Sequence, residues 1–362
     1  MFVSSVALTA CHSGAKPQWQ DGGDSLHYDY ARLLTTVDYG KYRVVKIADP
    51  WHEGRTLHTY VLVGDSTVDH LPEGTVIHVP VRRCVCFTTV HAALLADLGV
   101  AECLKAMADV EYVKRADLRS LLQDGRIGNV GSGMSPDIEK IIDIDADVVM
   151  VSPFENSGGY GKLDEVNIPI VECADYMESS PLARAEWMKF YGMLTGREAE
   201  ADSLFDVVKR QYLATAAEGR AVKQRPRVMM DMPSGSVWYV PGGRSTLGVM
   251  IADAGGDYVF ADNSSGGSRA MSIEAVVERC ETSDIWLYRY GGQEQTRETI
   301  LRDHPAFGHI KAFKDGEMYG CSTERTTFYE TTPFRPDCLL AELRDILAHR
   351  QANELTYFKK AK

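Results

Sequence analysis

The 362-residue sequence contains no apolar run approaching the ~18 residues that carry a helix across a bilayer, which excludes an integral protein built from spanning helices. Nor does it hold an excess of cations. Lys and Arg number 39 against 51 Asp and Glu, a net charge of −12, and no basic cluster offsets that sum, which argues against a general nucleic-acid binder. There is no Cys-x-x-Cys pair, the spacing a zinc site or a redox centre would use. Setting Cys11 aside leaves seven cysteines, Cys84, Cys86, Cys103, Cys173, Cys280, Cys321 and Cys338, an odd number that fits no complete disulfide framework. Cys84 and Cys86 would share one face of a strand, and small buried hydrophobes is the expected role for most of the seven. What is present is ordinary for a folded chain. The composition is 44% hydrophobic and 25% charged, enough for a sizeable core, and the length suggests about two domains at ~150 residues each.

The chain opens Met1-Phe-Val-Ser-Ser-Val-Ala-Leu8-Thr9-Ala10-Cys11. An apolar stretch ending in Leu-Thr-Ala-Cys resembles a bacterial lipoprotein signal, in which the obligatory cysteine takes a diacylglycerol. The stretch is shorter than a full signal and lacks the basic flank. The expectation is a signal over residues 1–11 cleaved before Cys11, lipidation of Cys11, and a body anchored to a membrane in the cell envelope, facing the periplasm. Each buried acyl methylene would contribute about 0.8 kcal/mol to that anchoring. Residues 12–38, with Gly22-Gly23-Asp24-Ser25, read as a tether.

Beyond the tether, β-branched runs at 42–47, 59–63 and 75–81 read as strands, and 88–98 as a helix stopped by Gly99. A strand at 126–130 leads to a helix opening at Ser135-Pro136, serine as N-cap and proline in the first turn. Strands at 147–152 and 168–171 follow. Residues 182–194 and 198–222 are helical with no strand between them. Leu204, Phe205, Val208, Tyr212 and Leu213 mark an apolar stripe along the second, which at ~25 residues would be roughly 37 Å long. Strands at 227–232, 284–288 and 318–319 then alternate with helices at 247–254, 273–279 and 336–349. This predicts an α/β fold of two lobes, each a central mostly parallel sheet flanked by helices, joined by a long backbone helix. The N-terminal lobe would span 39–174, the connecting helices 175–224 and the C-terminal lobe 225–362.

That plan resembles the substrate-binding proteins of ABC importers for ferric siderophores, haem or cobalamin. The sharpest stretch is Val237-Trp-Tyr-Val-Pro-Gly-Gly-Arg-Ser-Thr-Leu-Gly248 followed by Ala254-Gly-Gly-Asp-Tyr-Val-Phe-Ala-Asp262. Gly131-Ser-Gly-Met-Ser-Pro-Asp-Ile-Glu139 and Met271-Ser-Ile-Glu274, each before a helix and a strand, are similar to the matching units of the two lobes. The resemblance implies a monomeric, non-enzymatic carrier without a resident cofactor. It also implies that Glu139 and Glu274 dock on arginines of the two transmembrane permease subunits. The helix dipole alone, at about 0.3–1 kcal/mol, would also account for an acidic residue in each first turn.

Ligands of open α/β sheets gather at strand carboxyl ends. The expected ligand residues there are Arg82, Tyr160, Trp238, Tyr239, Arg244, Arg269, Arg289, Tyr290, Arg325 and Tyr329. Guanidinium groups would bind carboxylate, hydroxamate or catecholate oxygens, and the rings would supply rigid apolar walls. A ferric siderophore suits this set best, with cobalamin and haem as the alternatives; no convergent set for a bare metal is visible. A different reading comes from Val63-Gly-Asp-Ser66, which resembles the nucleophile block of GDS-type esterases. Asp303 and His304 are adjacent, however, rather than spaced as Asp-x-x-His, and Gly-Asp-Ser-Thr is also a good turn. A third reading is a surface lipoprotein that scavenges the same ligand without an importer.

Overall fold

A computed structural model describes residues 22–64, 68, 70–155, 159–349 and 355–362. Cys11, the signal, residues 12–21 of the tether and Ser66 lie outside the described residues. The first five strands are β1 (Asp24–Leu26), β2 (Leu34–Asp38), β3 (Tyr42–Ala48), β4 (Thr56–Val63) and β5 (Thr75–His78). They form one sheet in that order, antiparallel except for β5, which runs parallel to β4. This corrects two expectations: residues 24–38 are not tether, and 39–78 are a sheet of their own rather than part of a lobe. Alternation gives the sheet two apolar faces. Val45, Ile47, Tyr60 and Leu62 join the main core, while Tyr42, Val44, Val61 and Val63 form a separate cluster. The polar segment between β1 and β2 is held through its backbone. Glu186 accepts hydrogen bonds from the N–H groups of Asp29, Tyr30 and Ala31, and Glu178 from those of Arg32 and Leu33.

The N-terminal lobe contains β6 (Cys84–Cys86), β7 (Leu104–Met107), β8 (Gly128–Asn129), β9 (Gly131–Ser132), β10 (Ser135–Pro136), β11 (Val148–Val151) and β12 (Ile170–Glu172). Its helices are α1 (Thr89–Asp97), α2 (Ala116–Gln123) and α3 (Ile138–Ile144). The main sheet has the order β12-β11-β6-β7-β8, all parallel. Every residue of β11 is buried, as a strand covered on both faces must be. Helix α3 starts later than expected. Ser135 and Pro136 pair with β9, so Asp137 becomes the N-cap and accepts from the Lys140 N–H.

Helices α4 (Pro181–Glu186), α5 (Met188–Thr195) and α6 (Glu198–Arg220) link the lobes. The 23 residues of α6 span about 34 Å. Its buried stripe is Ala201, Phe205, Val208, Tyr212, Ala216 and Gly219, at spacings of three or four, whereas Leu213 is 40% exposed. Gly219 is required by close approach, because a Cβ there would stand 1.9 Å from the Asp253 carbonyl oxygen.

The C-terminal lobe holds β13 (Arg227–Met230), β14 (Pro233–Ser234), β15 (Val237–Pro241), β16 (Asp257–Tyr258), β17 (Ser268–Ser272), β18 (Ile285–Tyr290), β19 (Met318–Ser322) and β20 (Phe358–Lys360). Its helices are α7 (Thr246–Asp253), α8 (Ile273–Cys280), α9 (Arg297–Asp303), α10 (Lys311–Asp315), α11 (Phe328–Thr331) and α12 (Pro336–Leu347). The main sheet runs β16-β13-β18-β19-β20, parallel except for β20, and β14-β15-β17 form an antiparallel ribbon. The lobes also meet at the base of the cleft. Glu330 on α11, 3% exposed, accepts the N–H groups of Lys114 at 2.8 Å and Arg115 at 2.9 Å from the opposite lobe.

Candidate functional site

The carboxyl ends of β6 and β7 in one lobe and of β19 in the other face a common cleft. Phe87 and Thr88 follow β6, Asp109 follows β7, and Thr323 and Glu324 follow β19. Together with Tyr112, Lys114, Thr326, Tyr329 and Glu330 they line a cavity of about 400 Å³. This is the place where open α/β sheets hold ligands. Behind its wall runs a chain of polar contacts that fixes the start of α1. Thr88 Oγ1 contacts His91 Nδ1, and His91 Nε2 lies 2.7 Å from Asp175, which also accepts from Tyr191 and Arg184. Burial alone would raise the Asp175 carboxyl, but His91 and Arg184 outweigh it and hold it at about 2. Asp109 sits in the left-handed region, φ 49°, and accepts the Gly133 N–H at 3.1 Å, joining β7 to the β9–β10 hairpin.

Arg289 lies at the end of β18, where the sequence placed it, but it is not free. Its Nε and Nη2 donate to the Asp231 carboxylate at 2.8 and 2.6 Å, and the guanidinium lies 5.8 and 5.9 Å from the Phe328 and Tyr329 ring centroids. Burial disfavours the charge, yet Asp231 more than compensates and keeps Arg289 protonated beyond its ordinary range. The pair therefore presents little net charge to the cleft. Tyr329 is 51% exposed and lines the cavity. Tyr290 follows Arg289 in β18, half-buried and in register with Ser322 of β19, and Arg325 is exposed on the turn after β19.

Six of the expected ligand residues, Trp238, Tyr239, Arg82, Tyr160, Arg244 and Arg269, are not among those lining this cavity. Trp238 is fully buried, packed on Trp286 and Phe307, with its Nε1 donating to the Met230 carbonyl. Its neighbour Tyr239, on the opposite face of β15, is the exposed ring. Arg82 precedes β6 rather than following a strand of that sheet, so it lies at the amino ends, lining a separate depression of about 490 Å³ with Lys105 and Arg197. Tyr160 donates its hydroxyl to Glu172 at 2.8 Å, and the other Glu172 oxygen lies 2.9 Å from His58 Nδ1 on β4. Burial and Glu172 both push the Tyr160 phenol upward, and the Glu172 carboxylate, shared with His58, is what joins the first sheet to the lobe. Arg244 and Arg269 are exposed near the β14-β15-β17 ribbon and are not among the residues lining the 400 Å³ cavity. Sequence reasoning missed Phe87, Thr88, Asp109, Tyr112 and Lys114. The strand-end rule applied to 84–86 and 104–107 would have found the first three.

Glu139 and Glu274 are exposed, each the second residue of its helix, α3 and α8. Among the described residues, no group of three or more His, Cys, Asp or Glu is arranged to hold a metal ion. The seven described cysteines are free thiols, and burial pushes Cys86 up to about 11. Asp303 pairs with Arg302, and His304 stacks on Phe307, so neither is set up as part of a catalytic triad.

An uncharacterized lipoprotein of Methanocaldococcus jannaschii is 28% identical over 282 residues, 75% of this chain; the match spans 66% of that relative, just under two thirds of its length. An ABC-type Fe3+-hydroxamate transport system structure from Saccharomonospora viridis superimposes with a TM-score of 0.57 at 18% identity, covering 75% of this chain and 94% of that one. A periplasmic heme binding protein from Pseudomonas aeruginosa gives 0.61 at 13% identity, covering 78% and 98%. At such identities these structures share the fold. Residues 85–324 match the family model described as periplasmic binding protein, and with well over half of its length inside that match the chain belongs to the periplasmic binding protein family.

Proposed function

We propose that this protein is the substrate-binding component of an ABC importer for an iron complex, a ferric siderophore, which it passes to an inner-membrane permease. The observation that carries the reading is the cavity enclosed by strand ends of both lobes, walled by Phe87, Tyr112 and Tyr329 and edged with threonine hydroxyls. Rigid rings with a few placed polar groups suit a bulky preformed complex. The charge balance narrows the siderophore reading. Asp109, Glu324 and Glu330 face the cavity against a single lining cation, Lys114, and Arg289 is neutralised by Asp231. A complex with little negative charge, such as a neutral ferric hydroxamate, fits better than a tricatecholate. The same walls favour a corrinoid as the second reading, and haem as the third. Lipidation at Cys11 and attachment to a membrane complete the proposal; the lipoprotein name of the Methanocaldococcus jannaschii relative supports them.

The test is native mass and absorbance on protein from iron-limited cells, followed by titration of purified protein with ferrichrome, cyanocobalamin and haemin. Saturable binding of ferrichrome in preference to the other two is expected. Preference for cyanocobalamin or haemin transfers the assignment to that ligand, and no binding to any of the three removes it.

A further inference from the structure

The walls of the cleft cavity offer hydrogen-bond acceptors where an anion would need donors. A threonine hydroxyl has one proton to give and two lone pairs to accept with. Thr323 Oγ1 gives its proton to the Tyr290 carbonyl at 3.2 Å, and Thr326 Oγ1 gives its proton to the Ser322 carbonyl at 2.8 Å. A carbonyl can only accept, so the direction of both bonds is fixed. Thr88 is set the same way from further off. Asp175 is ionised and accepts from His91 Nε2, so the Nδ1 of the neutral ring takes the Thr88 proton. Three of the four threonines that line the cavity therefore have only lone pairs left for a ligand.

The charges point the same way. Asp109 gives one carboxylate oxygen, Oδ2, to the Gly133 N–H and keeps the other. Glu324 is exposed and, among the described residues, has no hydrogen-bond or ion-pair partner. Glu330 spends both oxygens on the Lys114 and Arg115 N–H groups. The single lining cation, the Lys114 ammonium, donates to the Glu111 carbonyl at 3.0 Å. The amino end of α1 opens on the cavity and returns about half a positive charge, which does not balance the carboxylates. Tyr112 is 62% exposed and Phe87 half-buried, and among the described residues no Lys or Arg lies over either ring, whereas Tyr329 already has Arg289 beside it. An unoccupied aromatic face beside carboxylates attracts an organic cation.

We infer that the cavity selects a ligand that carries an alkylammonium group. Its N–H groups donate to the Asp109 and Glu324 carboxylates, and its methylenes lie against Phe87 and Tyr112. The ligand thus brings the donors and the positive charge that the walls lack. This rests on the importer reading and narrows it, from an iron complex of little negative charge to a ferric hydroxamate with a pendant amine.

The experiment titrates the purified protein, by quenching of its own fluorescence near neutral pH, with ferrioxamine B and with its N-acetyl derivative. The two complexes differ only in the pendant ammonium. The wild type should bind ferrioxamine B about tenfold more tightly, with the margin shrinking as salt is raised. Asp109→Asn/Glu324→Gln should remove most of that margin and leave the affinity for the N-acetyl derivative as it was. Asparagine tolerates the left-handed backbone at position 109, φ 49°, and keeps an acceptor for Gly133, so the variant should fold. Equal or reversed affinities in the wild type, or a margin that survives in the double variant, overturn the inference. Failure to bind either complex also overturns it, and cyanocobalamin and haemin then decide the rest. Binding of one of those two leaves the importer reading standing with another ligand, whereas binding of neither removes that reading as well.

Discussion

Arg289 illustrates how one side chain changes meaning once its partner is known. As a free guanidinium it would bind anions; held by Asp231, it becomes one half of a largely buried pair. Arg289→Ala leaves a carboxylate with little solvent and no counter-charge, a loss on the order of 3 kcal/mol. In Asp231→Asn/Arg289→Gln much of that loss should return. Urea unfolding of the single and double variants measures it, and losses that simply add would show that the two residues are not coupled. Asp175 gives the pH dependence. Its carboxyl is held at about 2, below the ordinary value, so its contribution is present above about pH 4 and disappears as pH falls toward 2. The size is about 2 kcal/mol. Burial raises Glu178, Glu330 and Glu342, which have the opposite sign: their contribution is present at low pH and lost as pH rises through the raised values. Asp175→Asn should therefore be less stable near neutrality and show a flatter acid limb in denaturation curves taken from about pH 2 to 5. An acid limb as steep as the wild type's would mean that Asp175 is not the residue being titrated.

At the scale of elements, Gly219 separates propensity from packing. In an exposed helix Gly→Ala stabilises by about 1 kcal/mol, but here the added carbon would meet the Asp253 carbonyl and force α6 from α7. Gly219→Ala should lower the melting temperature by several degrees, whereas Gly266→Ala, with open space around it, should be neutral. A stabilised Gly219→Ala would show that the helices are not in backbone contact. The regular elements were largely legible because their signals are local. The apolar run 148–151 and the three-and-four stripe of α6 read directly as a buried strand and a long helix. What a strand pairs with is not local. The run at 75–81 looked like a lobe strand, and that one misassignment moved Arg82 to the wrong end of the sheet. Strict alternation in β15 did carry the information that Trp238 and Tyr239 point to opposite faces, and that one of them must be core. The Asp231–Arg289 pair joins strand ends 58 residues apart, and Glu330 reaches back 215 and 216 residues, separations that no local pattern encodes.

At the scale of the molecule, three features restrain movement of the lobes. Helix α6 runs behind them, the first sheet is fastened to the linking helices through Glu178 and Glu186, and Glu330 bridges the lobes beneath the cleft. The last is the one a single substitution removes. In Glu330→Ala the part-buried N–H groups of Lys114 and Arg115 lose their acceptor, at about 1 kcal/mol for each bond lost. Because α6 and the first sheet remain, the variant should stay folded while the lobes separate more readily at the base of the cavity. Hydrogen exchange reads this directly: the amides of residues 114 and 115 should be well protected in the wild type and exchange much faster in the variant, with the amides of β3 and β4 unchanged. Wild-type scattering curves should also shift little when a binding ligand is added, since the restraints allow only small hinge changes. If amides 114 and 115 exchange equally fast in both proteins, Glu330 does not hold the lobes together in solution, and the restraint must come from α6 and the first sheet alone.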